Sequence, residues 1–216
     1  MQPPPSLSHS SSARALPLEE SARRMGAYRW VESRLFETLG GWVAAVPEPE
    51  VKAMLAVHAR EHAWHAELWH EQLPRAESMS PEGLTRPANE DLVTFVTALG
   101  KPEGPENDGP GRTIEKLVGA YRVLVPRMIV AYSAHLDAGS PITDGPVIRA
   151  LRLILRDEVE AWSRGEALIQ SLLGTEEQVR RAAEHQARLE SMIAGGALSG
   201  LAFTGSGLAG PVNGEP

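Results

Sequence analysis

The chain has 216 residues, a formal net charge of −7 and no cysteine. This length suits one domain with flanking tails, and the missing cysteines exclude disulfides, thiolate metal sites and a catalytic thiol. The negative charge argues against binding to nucleic-acid phosphates, and no run reaches the ~18 apolar residues of a membrane span. The N-terminal segment lacks the apolar stretch of a secretory signal. We therefore predict a cytoplasmic protein that binds neither nucleic acid nor a membrane.

The N-terminal and C-terminal segments differ in composition from the middle of the chain. Residues 1–17 are rich in proline and serine, which predicts a disordered tail. Residues 197–216 are rich in glycine and have no helical period, which predicts a flexible tail whose few apolar side chains, such as Leu201, pack loosely on the domain. The folded domain is therefore expected over residues 18–196.

Between the tails, apolar residues recur every three or four positions, which is the period of amphipathic helices. With the capping and proline signals, this pattern predicts six helices, over residues 18–45, 48–73, 88–99, 113–138, 144–173 and 176–194. Pro126 lies inside the fourth of these and predicts a kink there.

Four of the predicted helices are long, and short connections join them as two hairpins. A long link that contains the short helix separates the hairpins. Two antiparallel hairpins with a long middle connection are typical of one class of four-helix bundle. The fold prediction is therefore an all-α antiparallel four-helix bundle, with a crossover that carries a short helix and with an extra C-terminal helix.

Charged or polar residues interrupt the apolar stripes of three long helices. Glu32 lies between apolar positions of the first, Glu158 interrupts the stripe of the fourth, and the second carries His62 and His65 on its inner face. Burial of a lone carboxylate costs several kcal/mol. These carboxylates therefore need partners, which can be a metal ion, the histidines, or arginine and tyrosine side chains from facing helices.

Two segments, HAREHAWHAELWHEQLP in the second helix and PVIRALRLILRDEVEAW in the fourth long helix, resemble the ligand-bearing helices of ferritin-like proteins. The resemblance covers most of residues 20–173. In the two-iron carboxylate bundles of that family, one helix of each hairpin supplies a glutamate and the other supplies Glu-x-x-His. The resemblance implies a ferritin-like bundle in which Glu32 takes the place of the first lone glutamate.

The remaining ligand positions depart from the family pattern. His62-x-x-His65 occupies the first Glu-x-x-His position, with Glu61 one residue out of register. Glu158 is followed three residues later by Ala161 instead of histidine, and the third long helix offers no acid in its middle turns. The resemblance therefore implies a degenerate site that has lost the ligands of the second iron.

One hypothesis keeps a single metal site in this bundle. Its ligands would be Glu32, His62, His65 and Glu158, and Glu61 would orient a histidine from outside the ligand set. Carboxylate and neutral imidazole suit Fe, Mn and Zn. By resemblance to the family, such a site would perform metal-dependent oxidoreductase or hydroxylase chemistry.

The other hypothesis is a non-catalytic helical module without a metal, in which imidazolium and carboxylate groups satisfy each other. Its function would be to bind a protein partner or to form a homodimer through Trp64 or Trp69. Because half of the two-iron ligand set is missing, the sequence favours a ferritin-like domain that is non-catalytic or has an altered metal site. Both hypotheses stay open at this level.

Four of the five remaining histidines lie within the predicted helices and are not assigned to the site. We expect His58 and His70 to be partly exposed and His185 to lie on the surface. His135 lies near the end of a predicted helix, where it would interact favourably with the helix dipole.

Overall fold

A computed structural model describes residues 16–100, 110–197 and 201, and within them the regular structure is helical apart from one isolated bridge in a turn. The helices are α1 (Leu18–Ala45), α2 (Pro49–Gln72), α3 (Pro81–Leu84), α4 (Glu90–Gly100), α5 (Pro110–Leu117), α6 (Val125–Ala138), α7 (Gly145–Leu172) and α8 (Glu176–Met192). The predicted all-α class is confirmed. Residues 1–15 and 202–216, which make up most of the two predicted tails, lie outside the described residues.

Helices α1 and α2 pack against each other along most of their length. Tyr28 contacts Trp69, and Glu32, one turn later in α1, bonds His62, which lies earlier in α2. The two helices therefore run in opposite directions. Their apolar stripes face each other because α1 repeats buried residues every three or four positions up to Trp42.

The third long helix is continuous but irregular. A π-helical segment, Val118–Leu124, joins α5 to α6 directly before Pro126. Proline has no N–H to donate, and at this point the N–H of Val125 bonds the carbonyl of Ala120, five residues back. The irregularity that the sequence predicts at Pro126 thus takes the form of a widened helical segment one turn earlier.

Helix α7 packs against α6, α2 and the π segment, and α8 covers the π segment and α5. Gly165 permits the close approach of α7, because an added Cβ would lie 2.2 Å from the ring of Tyr121. The C-terminal segment also reaches this core. Leu201 is buried, and its carbonyl accepts a hydrogen bond from the Tyr28 hydroxyl.

The long helix that includes α6 is apolar as well as buried. Its residues Arg112–Ala138 satisfy the length and composition of a membrane span, and 61% of the most apolar window is buried inside the protein. The core helix of a soluble protein satisfies the same test, because the neighbouring helices bury its apolar side chains. This single helix is therefore weak evidence for a membrane span.

Candidate metal centre

Four predicted site residues meet in the interior of the protein. Glu32 comes from α1, His62 and His65 from α2, and Glu158 from α7, and each side chain is at most 2% exposed. One nitrogen or oxygen atom from each lies within 4.8 Å of the corresponding atoms of the other three. We call these four residues the Glu–His quartet.

Helical periodicity explains why these positions converge. His62 and His65 are three residues apart and therefore share one face of α2. Glu158 continues the buried stripe of α7 that includes Leu151 and Ile154. Glu32 lies in the same way within the stripe of α1. Each polar side chain is thus carried into the core by the apolar residues on either side of it.

The Nδ1 atoms of both imidazoles face one oxygen of each carboxylate. Glu32 Oε2 lies 2.6 Å from His62 Nδ1 and 3.6 Å from His65 Nδ1. Glu158 Oε1 lies 3.4 Å from His62 Nδ1 and 3.2 Å from His65 Nδ1. The two nitrogens and two oxygens therefore alternate around a small common centre.

Electrostatics inside the quartet favour the charged forms of Glu32, His62 and His65. Burial would raise the pKa of Glu32, but the charges of His62 and His65 outweigh it and lower this pKa to about 2. Burial would lower the pKa of His65, but Glu32 and Glu158 raise it to about 11. Burial opposes the charged form of His62 too, and the same carboxylates raise its pKa. The metal-free quartet therefore pairs two imidazolium groups with the Glu32 carboxylate.

Two neighbouring residues bond the quartet from outside. Tyr132 of α6 donates its hydroxyl hydrogen to Glu32 Oε1. Asp157 Oδ2 lies 3.4 Å from His65 Nε2, on the side of the ring opposite to the quartet. The outer partner of His65 is therefore Asp157, whereas the sequence pointed to Glu61. The carboxyl of Glu61 is only half-buried, and burial and the charge of Asp157 raise its pKa.

Several polar atoms of the quartet have no hydrogen-bond partner among the described residues. These buried atoms are His62 Nε2, Glu158 Oε2 and His65 Nδ1, which forms an ion pair with Glu158 at 3.2 Å but no hydrogen bond. An unsatisfied buried polar atom costs about 1–3 kcal/mol. A cation at the centre would satisfy His65 Nδ1 directly and would lie beside Glu158, so the residues present fit a metal ion.

Two buried histidines flank the quartet without joining it. His58 Nδ1 lies 2.7 Å from the Tyr121 hydroxyl, and His135 Nε2 lies 3.1 Å from the Ser21 hydroxyl. Burial lowers the pKa of each to about 4. The predicted partial exposure of His58 is wrong, since its side chain is 1% exposed beneath the close contact of α7.

Other predictions also change in the tertiary structure. His185 is buried at 8% exposure because α8 packs on the π segment, so the prediction of a surface position is wrong. Trp69 is fully buried against Tyr28 and Tyr132 and cannot form a dimer interface, whereas Trp64 is 47% exposed.

The quartet is the one group of histidine and acidic side chains, within the part of the chain that the structure describes, whose ligand atoms meet closely enough to hold an ion. Ala161, three residues after Glu158, is buried in α7. The middle of the third long helix contributes the Tyr132 hydroxyl, which bonds Glu32.

Comparison of the chain with models of known protein families, with curated proteins and with solved structures finds no match. No relative therefore suggests an activity or a ligand.

Proposed function

We propose that the protein is a ferritin-like four-helix-bundle domain that binds one divalent transition-metal ion through Glu32, His62, His65 and Glu158. The separations between their donor atoms carry this proposal. Zinc-type bonds of about 2.1 Å in a tetrahedron place neighbouring ligand atoms about 3.4 Å apart. Three of the four nitrogen–oxygen separations in the quartet are 3.2, 3.4 and 3.6 Å.

The charge of the quartet also suits a divalent ion. Imidazole ligates a metal only when it is neutral. A divalent cation that replaces one proton on each of His62 and His65 leaves the net charge of the buried cluster unchanged. The exchange therefore avoids the large cost of an uncompensated buried charge.

The helices that meet at the quartet support the ferritin-like arrangement. Helices α1, α2 and α7 supply the four ligands, and α6 supplies Tyr132. Metal sites of ferritin-like proteins are built in the same way, from inward-facing side chains of the four bundle helices. In this protein the ion would tie three helices together.

The burial of the quartet favours a stabilising role over catalysis. Each ligand is at most 2% exposed, so a substrate has no direct access to the ion. Metal sites that are closed by protein ligands are typically structural, whereas catalytic sites keep an open position. The iron or manganese oxidoreductase that the family resemblance implies is therefore the less favoured function.

The first test is the metal content of the full-length protein. After removal of metal with a chelator, the protein is incubated separately with Zn²⁺, Fe²⁺ or Mn²⁺, dialysed and analysed for bound metal. We expect one ion per chain and a higher melting temperature, because an ion that binds only the folded state stabilises it. If none of the three ions is retained, the proposal is wrong and the quartet is an ion-pair network.

A matched pair of variants locates the ion. His62→Ala removes a proposed ligand, whereas His58→Ala removes an equally buried histidine one turn earlier on α2. We expect His62→Ala to lose metal binding and His58→Ala to retain one ion per chain. Equal retention or equal loss in two folded variants would place the ion elsewhere.

A further inference from the structure

The two oxygens of Glu32 have different partners. Oε1 accepts the hydrogen bond from the Tyr132 hydroxyl. Oε2 faces both imidazoles, at 2.6 Å from His62 Nδ1 and 3.6 Å from His65 Nδ1. Only one oxygen of this carboxylate therefore points toward the centre of the quartet.

Packing holds the Tyr132 hydroxyl in this position. Its ring is fully buried and lies edge-on to Tyr28, with 4.8 Å between ring centroids, and 5.6 Å from the ring centroid of Trp69. A ring enclosed in this way cannot turn without moving its neighbours, since protein interiors are close-packed. The bond to Glu32 Oε1 is thus a fixed feature of the core.

The second carboxylate of the quartet is not restrained in the same way. Glu158 Oε1 faces both imidazoles, and Glu158 Oε2 is buried without a hydrogen-bond partner among the described residues. Glu158 can therefore offer one or two oxygens to an ion, whereas Glu32 can offer one. With His62 and His65, the protein supplies four or five donor atoms.

We infer that Tyr132 is a positioning residue that restricts Glu32 to ligation through one oxygen and thereby increases the preference of the site for Zn²⁺ over Mn²⁺. Zinc in protein sites takes four ligands, with five in some cases, whereas Mn²⁺ favours six-coordinate, oxygen-rich sites. Release of Glu32 Oε1 would add one oxygen donor and favour the ion with the larger coordination number. This inference rests on the proposed metal site and specifies which ion it takes.

The first experiment determines the coordination number with Co²⁺ in place of Zn²⁺. Co²⁺ absorbs visible light far more strongly in four- or five-coordinate sites than in octahedral ones. The metal-free full-length protein is titrated with Co²⁺ while its visible spectrum is recorded. We expect the strong absorption of a site with low coordination number. A weak, octahedral spectrum from tightly bound Co²⁺ would overturn the inference and leave the metal site itself in place.

The second experiment compares Tyr132→Phe with Tyr121→Phe. Both tyrosines are fully buried in the same long helix, but the Tyr121 hydroxyl bonds His58, which lies outside the quartet. Loss of an outer bond to a ligand typically costs 10–100-fold in metal affinity. We expect Tyr132→Phe to lower the ratio of Zn²⁺ to Mn²⁺ affinity at least about tenfold and Tyr121→Phe to leave it unchanged.

Competition titrations with a chromogenic chelator measure both affinities, and circular dichroism shows that each variant is folded. An unchanged affinity ratio in folded Tyr132→Phe, or an equal change in Tyr121→Phe, would overturn the role of Tyr132. If Tyr132→Phe does not fold, the Co²⁺ spectrum of the unmodified protein still decides the coordination number. If the unmodified protein binds none of these ions, the proposed function itself has failed.

Discussion

Two regions of the core contain histidines of similar burial but different charge: one pair is protonated and the other is neutral. His62 and His65 belong to the Glu–His quartet, where carboxylates raise their pKa values. His58 and His135 lie beside it, and burial lowers their pKa values to about 4. The four side chains are 1–2% exposed. Burial alone therefore does not decide the charge of an imidazole in this protein; the nearest partner does.

The partners differ in chemical type. His58 and His135 face the neutral hydroxyls of Tyr121 and Ser21. A hydroxyl satisfies a ring nitrogen without stabilising a positive charge, so desolvation prevails. The carboxylates of the quartet supply a charge that outweighs desolvation. The same contrast explains why an ion is expected at the quartet and not at the flanking histidines.

The largest effect that separates the two regions is the pH dependence of metal binding. Because His62 and His65 have raised pKa values, each must lose a proton when an ion binds. Loss of the His65 proton alone makes the affinity rise about tenfold per pH unit, or about 100-fold between pH 6 and pH 8, and the raised pKa of His62 steepens this rise. Zn²⁺ titrations at these pH values, with a weakly coordinating buffer, measure this dependence.

Calorimetry in buffers of different ionisation enthalpy counts the released protons independently. Release of more than one proton per ion at pH 7 would confirm that His62 and His65 are both charged before metal binds. Release of none would show that its histidines are neutral like His58, and the proposed contrast between the regions would then be wrong.

A smaller effect is expected on the stability of the metal-free protein in acid. His58 has a folded-state pKa of about 4 against an ordinary value of 6.5, so the unfolded chain binds its proton first as pH falls. Stability therefore decreases as pH falls from 6.5 to 4, by about 3 kcal/mol for this residue. Urea unfolding at several pH values measures this loss. Between pH 6.5 and pH 4, the free energy of unfolding should decrease less in His58→Gln than in the unmodified protein, by about 3 kcal/mol.

His65 provides the opposite case within the same measurements. Because its pKa is raised, its contribution to the free energy of unfolding is complete below pH 6.5 and is lost as pH rises toward about 11. Its contribution therefore does not diminish between pH 6.5 and pH 4. If His58→Gln and the unmodified protein lose the same stability over this range, burial does not keep His58 neutral.

The smallest expected effect concerns the outer partner of His65. Asp157→Asn weakens the bond to His65 Nε2 and should reduce Zn²⁺ affinity about tenfold. Glu61→Gln changes a neighbouring carboxyl that does not bond His65 and should reduce the affinity less. Competition titrations compare the two variants, and a larger loss in Glu61→Gln would show that the sequence-based assignment of Glu61 was right.

Helical period alone locates the site residues along the chain. Glu32 and Glu158 stand out because each interrupts an apolar stripe, and His62 and His65 stand out because they share a face three residues apart. The bounds of the long helices follow from the same pattern and from prolines and glycines; the first helix is predicted over 18–45 and is observed over Leu18–Ala45.

Helical period does not predict the bonds that reach the quartet from neighbouring residues. Asp157 adjoins Glu158 in sequence, and helical period places it beside the buried stripe, yet only the packing of α7 on α2 brings it to His65. The burial of His58 and of His185 likewise depends on helices that are distant in sequence, α7 and α8. The apolar pattern of a helix identifies which of its faces is buried. It does not show which other helix packs beside that face.

The amino-acid sequence by itself determined the helical class, the positions of the long helices and the four residues that turn inward, because these depend on local periodicity and on the cost of burying charge. Only the tertiary structure decided which oxygen of Glu32 faces the imidazoles and which histidines are charged. Those properties depend on distances of a few ångströms between helices, and side-chain electrostatics change steeply over that range.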